Sequence, residues 1–401
     1  MARSQPVTTT GARLRLAREA AGLSREQMAA LTHFGKTTLT YAEQGKRRIT
    51  PELVAAYERH LGTGILDPIA NLEHVGRGDV DRRSFIRTAA YTAGLGALAL
   101  AGGDDLARLA AHTDTSATGA TTIEALRRMT DSMIAVDETL GGGVGRTAVA
   151  EFLATDVAAV LRGRFISEQV RADAFSAAAE VAYLAGWKAH DAGLDGLAQR
   201  YYLSALDLTR ESGDAGHEAF VLRILALQGC DVGQKTYSVR LAEASRDRAR
   251  QARLDPDTEA LFYLVVARCQ AETGEHAAAA RTIARAPSLN AEVSEQFPRW
   301  AAQWGPHKGP VLRQSSKTFT AMNDTAEAAS FLTEVTGIWD PAGNARIWAL
   351  SMAELGHAQW RNADPAAATS TWNTALPVLD QISSDRTRKQ AAKIRHTLRT
   401  A

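Results

Sequence analysis

Apolar residues in the first sixty positions recur at helical spacing in short bursts. Leu14, Ala17, Ala20 and Ala21 share one face of a first helix, which Gly22 ends. Ser24 caps a second helix with Gln27 three residues on as its capping-box partner, and Met28 and Leu31 form the core side. A short break over 32–35 leads to a third helix over 36–44. Leu39 and Ala42 face inward there, whereas Lys36, Thr37, Thr40 and Tyr41 face outward. Gly45 suits a left-handed C-cap. Thr50 caps a fourth helix, Pro51 suits its first position, and Leu53, Val54, Tyr57 and Leu61 make its inner face.

From about Ile123 onward the apolar pattern lengthens and repeats. Breaks carrying Gly, Asn or Asp fall at 191–193, 231–233, 272–274, 322–324 and 361–363, in steps of roughly 40 residues with one nearer 50. Nine positions after most breaks stands an apolar residue, and at twelve often a small one: Tyr202 and Ala205, Ile283 and Ala286, Leu332 and Val335, Trp372 and Ala375. The second break has Ala242 at nine and is weaker at twelve. Helix-length apolar segments precede the breaks, among them VAYLAGWKAH, FVLRILALQGC, LFYLVVARCQ and WALSMAELGHAQW. The pattern predicts a helical hairpin repeated about five times. Such units bury their faces only by stacking on neighbours. Alternating Val/Ile/Thr runs are nearly absent, so the chain reads as all-α.

Between these regions the composition shifts. Residues 1–10 read as a frayed start, 63–80 is rich in Gly, Pro and Asp, and 111–122 is small and polar. Between the two linkers lies DRRSFIRTAAYTAGLGALALAGG, whose Arg82, Arg83 and apolar run imitate a twin-arginine export signal. Its uncharged span, 88–103, has sixteen residues. As a helix it reaches about 24 Å, short of a bilayer core of about 30 Å. A signal belongs at the N-terminus, and here another folded segment precedes it. The expectation is an uncleaved apolar helix in which Phe85, Ile86, Leu95, Leu98 and Leu100 dock on the repeat region or on a second subunit. The division expected is 1–10, 11–75, a connector over 76–121, and 122–401.

Composition adds little until charge is read locally. The 401 residues carry 45% apolar and 23% charged residues and a net charge of +1, ordinary for a globular protein. Between Gly11 and Gly62, however, nine Lys and Arg face five Glu, a local excess of +4. Cys230 and Cys269 lie in apolar helical runs with no metal spacing, which suggests buried thiols in a reducing compartment.

Two short helices joined by a tight turn in a small bundle make a helix-turn-helix. The run LSREQMAALTHFGKTTLTYAEQGKRRITP resembles the Cro and phage-repressor type, or xenobiotic-response-element family, of DNA-binding domains. Leu23, Ser24, Glu26, Met28 and Ala29 match the part before the turn; Glu43, Gly45, Arg47 and Pro51 follow the later part, with the proline slightly shifted. The resemblance implies that Lys36, Thr37 and Tyr41 read base edges in a major groove. It places Thr38 and Thr40 near bases or phosphates, Arg25 on a phosphate, and Lys46, Arg47 and Arg48 along the backbone. Gly35 stands where the family has a Ser cap, at a cost of a few tenths of a kcal/mol. The repeat region resembles tetratricopeptide repeats with elongated helices. The fold expected is therefore all-α, an N-terminal helix-turn-helix bundle followed by a tetratricopeptide-like α-solenoid.

If the repeats form a groove, their first helices line it. The candidates are Tyr183, Trp187, Arg223, Tyr263, Arg268, Arg346 and Trp348, with Trp300 and Trp304 from FPRWAAQWGPHKGP, a segment read either as a recognition loop or as a packing plug. Other chemistry is weakly signalled. GGGVGRT at 141–147 lacks the ending of a phosphate loop and reads as a flexible helix–helix connection. The ten histidines show no ligand spacing, and no nucleophile or paired-carboxylate context appears. The expectation is a cytoplasmic, dimeric transcriptional regulator of double-stranded DNA, with a peptide, small molecule or protein as effector. It is expected to need no cofactor or metal, not to be an enzyme, and not to engage a membrane. The rival readings are an interaction scaffold tethered to DNA and an exported repeat protein.

Overall fold

Helix ends in the first sixty residues are set by side-chain and glycine chemistry. Ser24 Oγ accepts from the Gln27 N–H at 3.2 Å while Gln27 Oε1 accepts from the Ser24 N–H at 2.7 Å, so the expected capping box starts α1 (Arg25–Thr32). Helix α2 (Lys36–Glu43) begins at Gly35 with no side-chain cap. It ends where Gly45 turns left-handed at φ 68°. There the N–H groups of Gly45 and Lys46 return to the carbonyls of Ala42 and Tyr41, at 3.0 and 2.8 Å, a Schellman closure. Gly22 closes the preceding helical stretch in the same way.

The computed structural model describes residues 11, 14–15, 18–19, 21–47, 53, 56–57, 60–61, 117–286, 298–302 and 308–400. The expected frayed start, the apolar signal-like helix, the Thr50–Pro51 cap, Arg48 and Trp304 lie outside them. The chain divides into two compact units, Met1–Gly78 and Asp79–Ala401. The described elements are helical apart from one isolated bridge, Thr118 to Phe165.

The second unit opens with α3 (Ala120–Leu140), α4 (Arg146–Phe152), a π turn (Leu153–Val157) and α5 (Ala158–Arg162). Five hairpins follow: α6 (Glu168–Asp191) with α7 (Asp195–Ser212), α8 (Ala215–Asp231) with α9 (Lys235–Ala252), α10 (Pro256–Glu272) with α11 (His276–Ala284), then, after the short α12 (Arg299–Ala302), α13 (Gly309–Ala321) with α14 (Thr325–Ile338), and α15 (Ala345–Arg361) with α16 (Pro365–Gln381). A last helix, α17 (Asp385–Thr400), packs on both α15 and α16.

The five breaks read from the sequence are the five hairpin turns, and they share one geometry. Gly193, Gly233, Gly274, Asn323 and Ala363 all have positive φ. After each, an N–H returns to the carbonyl five residues back: Leu194 to Ala189, Gln234 to Gly229, Glu275 to Gln270, Asp324 to Phe319 and Asp364 to Gln359. In the first, fourth and fifth hairpins the positions nine and twelve beyond the turn face the partner helix, whereas in the third Ile283 is half-buried and Ala286 lies beyond the end of α11. Tyr202, Ala205, Leu332, Val335, Trp372 and Ala375 are all buried. At the weak second repeat, Ser245 occupies position twelve, fully buried, and its hydroxyl donates to the Ala219 carbonyl at 2.7 Å.

The array returns on itself. Helix α15 packs against α3, Ser383 N–H donates to the Leu140 carbonyl at 2.8 Å, and Gly143 N–H donates to the Ser383 carbonyl at 2.9 Å. This corrects the expectation for GGGVGRT. It is a packed junction rather than a flexible connection: a Cβ on Gly142 would lie 2.8 Å from the Lys188 carbonyl and from Asp191 Cβ, and Gly142 N–H donates to Asp191 at 2.9 Å.

Large second-helix residues are accepted by small first-helix ones. Tyr202 lies against Gly186, where a Cβ would meet the ring at 2.6 Å. Gly186→Ala is therefore expected to destabilise the helical unit by about 1–3 kcal/mol through overpacking; an unchanged thermal midpoint would refute this contact. Ala363 holds φ 60° without being glycine, so Ala363→Gly should act in the opposite direction. The expected gain is about 1 kcal/mol from relief of the left-handed strain, read by chemical denaturation.

Candidate functional site

The first unit is organised around a buried carboxylate. Glu43 lies one turn beyond Leu39 on the inward face of α2, and its side chain is fully buried. Arg18 Nε and Nη2 donate to its two oxygens at 2.6 and 2.9 Å, Arg25 Nε donates at 2.9 Å, and the Tyr57 hydroxyl donates at 2.9 Å. One side chain thus ties α2 to the helical segments before and after the helix-turn-helix. Leu14, Met28, Leu39, Ala42, Leu53 and Tyr57 form the apolar core around it. Burial alone would raise the Glu43 carboxyl, but the hydrogen bonds from Arg18, Arg25 and Tyr57 together hold it below its ordinary value. Sequence inspection singled out neither Arg18 nor the buried role of Glu43. The available signal was a carboxylate on an otherwise apolar helix face, which demands a buried cation.

With that framework, α2 presents a continuous outer row. Lys36, Thr37 and Tyr41 are exposed, Thr38 and Thr40 are half-buried, and Lys46 and Arg47 are exposed beyond the Schellman turn. Several of these groups have internal partners. Lys36 is ion-paired with Glu26, Thr40 donates to the Lys36 carbonyl at 2.9 Å, and Arg47 donates to Thr38 at 3.4 Å. Arg25, placed on a phosphate by the resemblance, gives its Nε to Glu43, and its side chain is one-third exposed. Its first role is structural. The rest of its guanidinium faces outward from the start of α1.

In the second unit the inner helices line a half-open cavity of about 460 Å³. Each contributes residues at helical spacing: Tyr183, Trp187 and His190 from α6; Phe220, Arg223, Leu227 and Asp231 from α8; Leu261 and Arg268 from α10; Arg313 and Lys317 from α13; Leu350 and Glu354 from α15; Arg386 and Lys389 from α17. A second hollow of about 360 Å³ shares Arg268, Lys317, Glu354 and Gln390 with it. Tyr183, Trp187, Arg223 and Arg268 are thus brought together on one wall system.

Four other expected groove residues are not at the cavity, and each has a reason. Tyr263 is two residues, about 200°, from Leu261 around α10 and faces away. Trp300 is buried, stacked on His217 (centroids 5.8 Å apart) and against Phe220 (5.2 Å), and donates to Asp214 at 3.2 Å. Its neighbour Arg299 pairs with Asp131 and Glu180 at 2.6 and 3.2 Å, so 298–302 is a packing plug. Arg346 is 1% exposed and is drawn into a buried cluster with Asp137 (2.8 Å), Glu138 (2.5 Å) and Asp191 (3.5 Å). Trp348 packs between two core clusters of the last hairpins.

The two cysteines are buried and free, with the Cys230 thiol donating to Cys269 Sγ at 3.4 Å. Among the described residues no cluster of His, Cys, Asp or Glu is arranged to hold a metal ion. No helix among them is long and apolar enough to cross a membrane.

The geometry of the first unit is that of a helix-turn-helix: two short helices, a tight turn, and an outward row on the second. A family model described as a helix-turn-helix domain matches residues 10–72. No curated protein is detectably similar to the chain.

The arrangement around Glu43 predicts a severe and specific failure. Glu43→Ala leaves Arg18 buried without its partner, at an expected cost of about 3–5 kcal/mol, comparable with the whole stability of a domain this small. Urea unfolding followed by circular dichroism should show the first unit's transition lost and the second retained. Because the folded carboxyl sits below its ordinary value of 4.5, its contribution is complete above about pH 4.5 and is lost as the pH falls through the lower folded value. Stability of the first unit that rises rather than falls as the pH drops below about 4.5 would overturn the assignment.

Proposed function

We propose that the chain is a sequence-specific DNA-binding transcriptional regulator that acts as a dimer. Its helix-turn-helix unit reads DNA and its helical unit binds an effector. The observation that carries the proposal is the row Lys36, Thr37 and Tyr41, exposed on a second helix whose opposite face is pinned by Glu43, within residues matched by the helix-turn-helix family. A helix of this size enters a major groove about 12 Å wide. Lys36 exchanges Glu26 for a base edge or phosphate oxygen on binding. Lys46 and Arg47 supply phosphate contacts next to it, with Arg25 contributing its outward guanidinium face. Arg48 follows them in sequence and joins the same charge run.

Dimerisation doubles the sequence read and sets two half-sites about one helical turn apart. The resemblance of the repeats to tetratricopeptide arrays supports an effector-binding role, and the cavity lined by the inner helices supports it more directly. No catalytic step is part of this proposal.

The test is selection of bound sequences from a random duplex library with the full chain, followed by anisotropy titration. Replacing Lys36, Thr37 and Tyr41 together by Ala should reduce affinity for the selected site to the non-specific level, a loss of about 10³-fold or more. Lys46→Ala should instead weaken all sequences alike and lower the slope of log K against log salt by about 1. Specific binding that survives the triple substitution would remove α2 as the recognition helix.

A further inference from the structure

We propose that the cavity of the helical unit binds a small organic anion, with an oxyanion head such as a carboxylate, phosphate or sulfonate and an aromatic or aliphatic body. This rests on the helical unit being the effector-binding part, and it names the effector's chemistry.

The head group is defined by two guanidinium groups. Arg223 is 7% exposed and lies over the Phe220 ring at 4.2 Å, with Nη2 donating to the Tyr183 hydroxyl at 3.1 Å. Arg386 lies over the Trp187 ring at 5.3 Å. Among the described residues neither has a carboxylate within ion-pair distance, and Arg223 Nε and Arg386 Nη1 are buried without a hydrogen-bond acceptor. Tyr183 and Trp187 are one turn apart on α6, so both guanidinium groups are held against the same helix and line the same cavity. Two forks of N–H donors, each backed by an aromatic face, suit one planar or tetrahedral oxyanion.

The surrounding charge points the same way. Glu354 is shared by Arg313 at 2.8 Å and Lys317 at 3.1 Å, so one negative charge answers two positive ones. Burial, with Arg313, Arg268 and Arg386 nearby, pulls the Lys317 amine down to about 8 despite Glu354. Asp231 answers Arg268 and Asp385 answers Lys389, so the lining guanidinium groups left for a bound anion are Arg223 and Arg386.

The body of the ligand is defined by the remaining wall. Phe220, Trp187, Leu227, Leu350 and Trp339 supply apolar surface. Trp339 Nε1 and Gln314 Oε1, also buried without partners, offer one donor and one acceptor for polar groups on that body. A half-open volume of about 460 Å³ suits a small molecule. The closure of α15 and the 383–384 corner on α3 and α6 brings the two ends of the array together beside the cavity.

The experiment uses the full chain without DNA and two probes that differ by one charge. 8-Anilinonaphthalene-1-sulfonate carries the oxyanion, and N-phenyl-1-naphthylamine is its uncharged counterpart. Fluorescence titration should show one saturable site for the sulfonate and weaker binding of the amine. Arg223→Gln and Arg386→Gln should each weaken the sulfonate about tenfold or more and leave the amine within about twofold. Arg386→Lys should retain most of the sulfonate affinity. 3-Phenylpropionate should displace the sulfonate.

The proposal is overturned if neither probe binds, if the amine binds as tightly as the sulfonate, or if both Gln variants bind the sulfonate unchanged. Displacement by an extended heptapeptide but not by 3-phenylpropionate would also overturn it. Should Arg223→Gln fail to fold by circular dichroism, Arg386→Gln on the peripheral last helix carries the test. Absence of site-specific DNA binding, with the charge-dependent probe result intact, would defeat the regulator reading and leave this site standing.

Discussion

The helical unit depends on one buried ion cluster. Asp137 on α3 is fully buried and holds Lys188 of α6 at 2.9 Å and Arg346 of α15 at 2.8 Å. Arg346 also reaches Glu138 and Asp191. Burial alone would raise Asp191, but Arg346, Arg386 and the Gly142 N–H hold it ionised and low. Such a cluster contributes little net stability against a well-packed apolar alternative, yet breaking it leaves an uncompensated buried charge. Its consequence is geometric. It fixes the last hairpin against the first helix, so the inner helices face one another across a cavity.

The same device, on a smaller scale, governs the first unit. Glu43 does for the helix-turn-helix what Asp137 does for the repeats: a buried carboxylate gathers cations from elements that are distant in sequence. The difference lies in what the framework presents. Around Glu43 the held elements expose a polar row on α2, whereas around Asp137 they line a cavity. Around Glu43 that row lies on the same helix as the carboxylate, whereas around Asp137 only α3, α6 and α15 carry both cluster and cavity residues.

The legible parts of the fold were those encoded locally. Ser24 with Gln27 predicted its capping box, and Gly193, Gly233 and Gly274 marked turns because left-handed backbone favours glycine. Asn323 and Ala363 were legible only through the repeat spacing. The period at nine and twelve beyond most turns was legible because helix packing imposes it within forty residues. The illegible parts were those set at long range. Arg346 reads as a groove-lining arginine until Glu138, 208 positions away, is brought beside it. The glycines at 141–143 read as a mobile loop because nothing nearby in sequence says that Ser383 and Asp191 will press against them. For the cavity, period alone placed Tyr183, Trp187, Arg223 and Arg268 on inner helices. It missed Arg386, whose helix closes the array and has no repeat to identify it.

An interior with unpaired guanidinium groups stands in tension with the stability of the fold that contains it. Arg223 Nε, Arg268 Nε and Arg386 Nη1 are buried donors without acceptors, and each such group costs folding free energy of about 1–3 kcal/mol. Apolar replacements would satisfy packing at less cost. Arg268 has Asp231 at 3.0 Å and a clear structural partner, but Arg223 and Arg386 have none among the described carboxylates. Stability lost at such positions is the usual signature of a site shaped for a ligand rather than for the fold. A ligand that binds only the folded state returns that stability through mass action. It acts across helices from all five hairpins and the last helix at once, because the cavity wall is drawn from all of them. Occupancy of the interior is therefore coupled to how firmly the whole helical unit is closed.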